Sequence, residues 1–238
     1  NIFNPKYVCI NDTTKISLLR KKITNKKIEI IEAKVLSKLI KSVKSDISVL
    51  AISGYQALNL FPSILSSTKI LGMVNKECVV SAGHLFNQLN KKNKTIIYPS
   101  DSEHYSLQNL LTNKYNKIKK IYLTASGGPF YNKNFNDIKN ISFQRAKKHP
   151  KWKMGYKNSI DSATLANKCL EIIEAHYLFN ISYHKLNILI HPESLIHSVI
   201  EFENYTSLLN YFYHDMFIPL YNFFAYSNKT DKFPFINK

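Results

Sequence analysis

The sequence predicts an α/β fold in which a parallel sheet, over residues 1–98, is followed by an α+β unit over residues 99–238. Two observations predict this division. Apolar runs of strand length alternate with helical runs as far as Tyr98, as in a sheet built from β–α–β units. After Pro99 this strict alternation is lost. The hydrophobic content of 45% is sufficient for a real core.

The first half carries the alternating pattern. Its apolar runs predict strands at 6–10, 27–31, 47–53, 70–74 and 95–98. The runs between them predict helices at 13–22, 32–44, 55–66 and 76–92. Gly54 interrupts the third apolar run, and Pro62 lies inside the following helix or at its end. Strands separated by helices in this way are expected to run parallel.

The second half mixes the two element types. Helices are predicted at 103–112, 142–148, 161–180 and 218–226. Strands are predicted at 118–125, 186–190, 197–203 and 206–213. Asp161 and Ser162 are plausible caps for the long helix that follows them.

Glycine is scarce for a nucleotide-binding sheet. Such a sheet normally holds a dinucleotide through a Gly-rich first turn, G-x-G-x-x-G. The chain has six glycines, and none of them can be combined into that motif. We therefore expect an incomplete Rossmann-like sheet that lacks its phosphate-binding first unit. The first residue is Asn rather than Met, which is consistent with a natural chain that starts earlier.

The net charge of +17 raises the possibility of a nucleic-acid-binding protein. Only Arg20 and Arg145 are arginine, whereas nucleic-acid surfaces usually recruit arginine for phosphate and base contacts. The lysines are scattered along the chain. A solvated lysine surface is therefore the preferred interpretation, and no nucleic-acid partner is expected.

The three cysteines, Cys9, Cys78 and Cys169, are far apart and odd in number, which is not a disulfide or metal-binding spacing. They predict reduced thiols in a cytosol-like compartment. No apolar run approaches transmembrane length and no signal peptide is visible, so no membrane partner is expected.

Two short segments combine polar side chains with strand ends. Asp101-Ser102-Glu103 could hold Mg²⁺ or Mn²⁺ through its two carboxylates, or could simply cap a helix. Ser126-Gly127-Gly128-Pro129 could place exposed N–H groups and a hydroxyl around a phosphate, or could be a plain tight turn.

The segment 149–171 contains the only tryptophan, Trp152, in a loop before a helical run. On that helix Asn167 and Glu171 share a face and Lys168 adjoins it, which suggests a site for a small polar ligand. The alternatives are a core tryptophan and a solvated lysine. For the histidines at 191 and 197, structural hydrogen bonding is the preferred interpretation.

The order of these segments resembles the 1-deoxy-D-xylulose 5-phosphate reductoisomerase family. The matching segments are Asn-Lys-Glu (75–77), Ser-Ala-Gly (81–83), Asp-Ser-Glu-His (101–104), Leu-Thr-Ala-Ser-Gly-Gly-Pro-Phe (123–130), His-Pro-Lys-Trp-Lys-Met-Gly (149–155), Ile-Asp-Ser-Ala-Thr (160–164), Asn-Lys-Cys-Leu-Glu (167–171), Ile-Glu-Ala (173–175), His-Pro-Glu-Ser-Leu-Ile-His-Ser (191–198) and Asp-Met (215–216). The resemblance is weak before Gly54 and strong from 74 to 200.

The resemblance implies an enzyme that depends on NADPH and on Mg²⁺ or Mn²⁺. It would convert 1-deoxy-D-xylulose 5-phosphate to 2-C-methyl-D-erythritol 4-phosphate in isoprenoid biosynthesis. The implied protein is a homodimer in the bacterial cytoplasm, or in a plastid-type organelle. Residues 1–98 would belong to the NADPH-binding domain and residues 99–238 to the catalytic domain.

The resemblance also assigns roles to individual residues. The metal ligands would be Asp101, Glu103 and Glu171. The phosphate contacts would be Ser126, Ser162, Asn167 and Lys168. The other substrate contacts would be Lys76, Ser102 and His149. The NADPH contacts would be Asn75, Glu77, Met154, Gly155 and Met216, and Trp152 would belong to a flexible lid at about 147–157.

The chain departs from the family pattern in several places. It lacks the Gly-rich turn and the C-terminal helical domain of the family. Val74 replaces Ala, Cys78 replaces Ser, Glu193 replaces Gln and Phe217 replaces Arg. The alternative to an active enzyme is a truncated, non-catalytic remnant that binds metal and sugar phosphate.

Overall fold

The computed structural model describes residues 2–112, 117–146 and 155–228. Across these ranges, no helix is both long enough and apolar enough to cross a membrane. The cysteine thiols are free, with Cys9 and Cys169 exposed and Cys78 buried. Burial raises the pKa of the Cys78 thiol to about 12.

The first half alternates strands and helices as the sequence predicts. Its elements are β1 (Tyr7–Ile10), α1 (Ile16–Lys22), β2 (Glu29–Glu32), α2 (Ala33–Ser42), β3 (Ser45–Leu50), α3 (Phe61–Ser67), β4 (Thr68–Met73), α4 (Lys76–Ala82), α5 (His84–Asn93) and β5 (Ile96–Pro99). Short 3₁₀ turns precede α1 and α3.

The second half mixes the element types. Its elements are α6 (Ser102–Leu111), β6 (Ile118–Ala125), α7 (Phe135–Ile138), α8 (Phe143–Ala146), α9 (Tyr156–Ala163), α10 (Ala166–Phe179), β7 (Leu186–Ile190), β8 (Ile196–Phe202), β9 (Ser207–Tyr211) and α11 (Phe217–Asn228).

The strands form three sheets. β1 and β2 pair in parallel, and β3, β4 and β5 form a parallel sheet in that order. The third sheet has the order β7-β6-β8-β9, in which β6 and β7 are parallel and the other pairs antiparallel. The predicted α/β class is confirmed, although the parallel strands of the first half are divided between two sheets.

The hydrophobic core has three parts. One lies between the sheet β3-β4-β5 and helices α3, α4 and α5, and a second lies between α6, α10 and the four-stranded sheet. The third joins Tyr98 of β5 to Tyr105 of α6 and Phe223 of α11. Phe223 lies against Gly72 of β4, where an added Cβ would be 2.9 Å from the ring.

The predicted helix at 161–180 is wrong as a single element. The chain turns at Leu165, whose φ of 61° is left-handed, and this turn separates α9 from α10. Asp161 and Ser162 therefore lie in the last turn of α9 rather than at a helix start. The predicted helix at 76–92 is likewise divided at Gly83, which has a φ of 51°.

Pro62 is at the beginning of a helix and not within it or at its end. It occupies the first turn of α3, where its missing N–H removes no helical hydrogen bond. The remaining predicted helices and strands lie close to their expected bounds.

Candidate active site

A cavity of about 250 Å³ lies where α4, α6, α9 and α10 meet the end of β6. It is lined by every predicted metal- or substrate-binding residue that the structure describes: Lys76, Asp101, Ser102, Glu103, Ser126, Ser162, Asn167, Lys168 and Glu171. Residues from both halves of the chain therefore meet in one site.

Three carboxylates form the floor of the cavity. Asp101 caps α6 and accepts a hydrogen bond from the backbone N–H of Glu103, which is in the first turn of that helix. Glu171 projects from the middle of α10 and is 1% exposed. One oxygen from each of the three carboxylates lies within 4.8 Å of the others. We call these residues the carboxylate triad.

Two buried lysines contact the carboxylate triad. The Lys76 ammonium lies 3.0 Å from Asp101 Oδ2 and 2.8 Å from Glu171 Oε1. The Lys168 ammonium donates to Glu171 Oε2 and lies 3.5 Å from Glu103 Oε1. Asn167 also donates to Glu171 Oε1 and accepts from Lys76 at 3.0 Å. These contacts hold α4, α6 and α10 together through charge.

The lysines lower the pKa values of two carboxylates of the triad, Asp101 and Glu103. Burial alone would raise the pKa of Asp101, but Lys76, followed by His104, holds it well below its usual value. Burial alone would also raise the pKa of Glu103, but Lys168 and His197 outweigh burial and lower it. In return the carboxylates raise the pKa values of Lys76 and Lys168 above the usual value, against the opposing effect of burial.

The carboxylate triad fits a divalent metal ion. Three carboxylates that converge from two helices match the preference of Mg²⁺ and Mn²⁺ for hard oxygen ligands. A second group of possible ligands, His104 and Glu174, shares Asp101 with the triad. His104 Nε2 contacts the backbone oxygen of Glu171 at 2.9 Å and is fully buried, so this second group lies behind the cavity wall.

Hydroxyl groups form the other end of the cavity. Ser126 follows β6, Ser162 lies in the last turn of α9, and Ser194 belongs to the loop before β8. The buried Ser194 Oγ has no hydrogen-bond partner among the described residues, which is a feature expected of a ligand-binding group. This end of the cavity is suited to an anion because hydroxyls, the Asn167 amide and the Lys168 ammonium can all donate to it.

A glycine makes this end of the cavity possible. Gly128 has a φ of 68°, and an added Cβ would lie 2.7 Å from the backbone oxygen of Ser162. The turn after β6 therefore packs directly on the end of α9 and brings Ser126 and Ser162 to the same cavity.

Comparison with known proteins identifies the family. A sequence profile described as 1-deoxy-D-xylulose 5-phosphate reductoisomerase matches residues 1–83, and a profile for the C-terminal domain of the same enzyme matches residues 97–179. The reductoisomerase of Pelagibacter ubique is 41% identical over 234 residues, which are 97% of this chain and 60% of that protein. The chain belongs to the 1-deoxy-D-xylulose 5-phosphate reductoisomerase family.

Other reductoisomerases give the same result. The protein from Thermodesulfovibrio yellowstonii is 44% identical over 92% of this chain and 57% of its own length. The apicoplastic protein of Plasmodium falciparum is 36% identical over 92% of this chain and 49% of its own length. The chain thus spans about half to three-fifths of the length of these relatives.

Solved structures of reductoisomerases share the fold. A crystal structure of DOX-P reductoisomerase in complex with NADPH, fosmidomycin and magnesium has a TM-score of 0.86 and is 32% identical. The match covers 98% of this chain and 60% of the reductoisomerase chain in that crystal structure. The Zymomonas mobilis reductoisomerase in complex with NADPH has a TM-score of 0.82 and is 31% identical. That match covers 96% of this chain and 59% of the Zymomonas mobilis chain.

Among the NADPH contacts that the resemblance to reductoisomerases implies, the structure describes four residues, and these differ in their surroundings: Asn75, Glu77, Gly155 and Met216. Met216 lines the cavity, together with Val74. Asn75 is buried and caps α4 by accepting from the backbone N–H of Cys78 at 2.7 Å, so its carbonyl oxygen has a structural use. Glu77 pairs with Lys157 at 3.0 Å. Gly155 is the exposed N-cap of α9.

Three of the predicted site residues lie outside the described ranges. They are His149, Trp152 and Met154, and most of the predicted lid at 147–157 lies outside with them.

Four residues at or near the site were not predicted to belong to it. The preferred interpretation of His197 was structural, but its Nδ1 lies 3.6 Å from Glu103 Oε1, and Ser194, which was assigned no role, lines the cavity. His104 and Glu174 flank the triad. Each follows a predicted metal ligand by three residues on the same helix, and this spacing could have indicated both of them.

Proposed function

We propose that this chain is the metal- and substrate-binding part of an NADPH-dependent reductoisomerase. Its reaction is the conversion of 1-deoxy-D-xylulose 5-phosphate to 2-C-methyl-D-erythritol 4-phosphate in isoprenoid biosynthesis. The proposal depends chiefly on one observation: the carboxylate triad and a cluster of hydrogen-bond donors line the same cavity. A phosphorylated sugar would need the triad, with its metal ion, for its oxygens and the hydrogen-bond donors for its phosphate.

Asp101, Glu103 and Glu171 would hold Mg²⁺ or Mn²⁺. When bound, such an ion would supply Lewis acidity to the substrate during the rearrangement of the carbon skeleton. Lys76 and Lys168 pair with these ligands, and they help to hold Asp101 and Glu103 ionised. Ser102 donates to Glu103 Oε2 at 2.6 Å, which orients that ligand.

Ser126, Ser162, Asn167 and Lys168 would bind the phosphate. The ammonium and the three neutral donors lie on three separate segments, so they can surround an anion rather than contact one side of it. Binding the remote phosphate fixes the position of the reacting carbons over the triad. Lys76 and Ser102 would contact the oxygens of the sugar chain.

The NADPH site would adjoin the cavity. Val74 and Met216 are apolar parts of its lining and fit the face of a flat ring. Asn75, Glu77 and Gly155 would lie around that ring, and NADPH would supply the hydride that reduces the rearranged aldehyde. Residues 1–98 would belong to the cofactor domain and residues 99–238 to the catalytic domain.

The outer face of the four-stranded sheet supports the proposed homodimer. Leu208 packs on the core, so its neighbour Leu209 points to the other face, where it pairs with Val199 and is 54% exposed. Tyr211 and Leu189 are also exposed. Lys119 on this sheet is paired with Glu201, so two copies of a strongly basic chain could meet here with little repulsion.

A steady-state assay tests the proposed function. The full-length protein should oxidise NADPH in the presence of 1-deoxy-D-xylulose 5-phosphate only when Mg²⁺ or Mn²⁺ is added. Glu171→Ala should abolish the activity because it removes a buried metal ligand. Asp46→Ala, which removes a surface carboxylate paired with Lys69, is the matched control and should remain active. Turnover without a divalent ion would contradict the mechanism.

A further inference from the structure

The oxygens that a metal ion would need are already in contact with lysine ammonium groups. Lys76 contacts Asp101 and one oxygen of Glu171. Lys168 contacts the other oxygen of Glu171 and approaches Glu103. Each member of the triad therefore has a cation within 3.5 Å of one of its oxygens. A metal ion at the triad must compete with these ammonium groups.

Burial makes this competition strong. Lys76 and Lys168 are each 6% exposed, and Glu171 is 1% exposed. Charges that are removed from water interact more strongly and are screened less by salt. Three carboxylates and two ammonium groups together carry one negative charge. A divalent ion would bind more tightly if one ammonium group moved away from the triad.

The cavity offers one of these ammonium groups another anion. Lys168 is in the first turn of α10, next to Asn167, and Ser162 and Ser126 line the same cavity. Its flexible four-carbon side chain can turn from Glu171 towards a phosphate at the hydroxyl end of the cavity. That movement would leave the triad with more negative charge at the moment the phosphate arrives.

We propose that Lys168, assisted by Lys76, exchanges partners between the carboxylate triad and the substrate phosphate. The lysines offset two of the three negative charges of the triad until the metal ion binds, and Lys168 then pairs with the phosphate, so that each ligand strengthens the binding of the other. This inference rests on the proposed function, because it assumes both a metal ion and a phosphate in the cavity.

Removing the positive charge of Lys168 and measuring metal affinity distinguishes the proposed exchange of partners from a purely structural role of this lysine. A lysine that merely holds the triad together would leave it disordered when removed, and metal affinity would fall. A lysine that competes with the metal ion would, when removed, leave an uncompensated carboxylate, and metal affinity would rise.

The first experiment titrates the full chain with Mn²⁺ alone and measures free Mn²⁺ by electron paramagnetic resonance. Lys168→Met should bind Mn²⁺ about tenfold more tightly than wild type, or better, because a buried positive charge is gone. Lys168→Arg keeps the charge and should keep the wild-type affinity. Lys157→Met is the matched control, since Lys157 pairs with Asp161 and Glu77 outside the triad.

The outcomes distinguish the two proposals. If wild type binds no Mn²⁺, the proposed function fails and the exchange fails with it. If wild type binds Mn²⁺ but Lys168→Met binds it equally or less tightly, only the exchange is overturned.

A second measurement uses wild type and decides the question if Lys168→Met does not fold. Mn²⁺ is titrated with and without sulfate, with chloride keeping the ionic strength constant and a protein-free titration correcting for ion pairing in solution. Sulfate should tighten Mn²⁺ binding about fivefold or more, and Mn²⁺ should tighten sulfate binding by the same factor. Mn²⁺ affinity that sulfate leaves unchanged or weakens would overturn the exchange.

Discussion

The most deeply buried acid–base pair lies behind the carboxylate triad. His104 Nδ1 is 3.3 Å from Glu174 Oε2 and 3.3 Å from Asp101 Oδ1. Burial raises the pKa of Glu174 to about 7, although His104 opposes the shift. Burial would lower the pKa of His104, but Glu174 and Asp101 outweigh it and raise the pKa to about 9. Both side chains therefore keep a proton in the folded state up to a higher pH than they would in the unfolded chain.

These two shifts predict that the protein loses stability as the pH rises. Between about pH 4.5 and 7 the folded state keeps the Glu174 proton, and between about pH 6.5 and 9 it keeps the His104 proton, so raising the pH favours unfolding in both windows. Glu174→Gln removes the first contribution and weakens the second. Urea midpoints at pH 5, 7 and 9, measured in a chelator, should therefore fall less steeply for this variant than for wild type.

Asp46→Asn provides the control for this experiment. Lys69 lowers the pKa of Asp46, so this exposed carboxylate titrates below the same range and its loss should not change the slope. A Glu174→Gln variant with the full wild-type slope would show that other groups cause the pH dependence.

At the scale of elements, sequence patterns predicted the helices and strands better than the turns between them. Hydrophobic periodicity indicates where an element lies, because it reflects which face is buried. It does not indicate a left-handed residue such as Leu165, since nothing in Ser-Ala-Thr-Leu-Ala favours a break. The break at Leu165 is what allows Ser162 and Lys168 to face the same cavity from two helix ends.

The candidate active site also shows what sequence patterns can and cannot predict. The segment 101–103 left a metal ligand and a helix cap as alternatives, and Asp101 provides the cap while its carboxylate also belongs to the triad. The metal- and substrate-binding residues that the family motifs implied, where the structure describes them, line the cavity, but so does Ser194, to which no role was assigned from the sequence. The motifs could not show how Lys76 and Lys168 pair with the triad, because the sequence separation of Lys76 from Glu171 hides the contact.

The contact between the turn after β6 and α9 gives a prediction for Gly128. Gly128→Ala would place a methyl group against the Ser162 backbone and force a left-handed conformation on alanine. We expect a loss of about 2 kcal/mol in the free energy of unfolding, from urea denaturation. Gly155→Ala is the control, because no atom of the described residues lies within 4 Å of its added Cβ. A Gly128→Ala protein as stable as the Gly155→Ala protein would contradict the close packing.

At the scale of the whole molecule, the outer sheet face predicts a dimer. Sedimentation should show wild type as a dimer, and Leu209→Glu should shift it towards monomer because a charge would be buried at the interface. Leu18→Glu changes an equally exposed leucine on α1 and should leave the dimer intact. A dimer that survives Leu209→Glu would place the interface elsewhere.

The contact between Phe223 and Gly72 links the two halves of the molecule over a long stretch of chain. Phe223 leaves the ribosome about 150 residues after Gly72, several seconds or more later at ordinary rates of synthesis. Until then the face of β4 that α11 covers is open to water and to other nascent chains. We expect this protein to need chaperone assistance during synthesis, and to refold slowly from denaturant because so distant a contact must close.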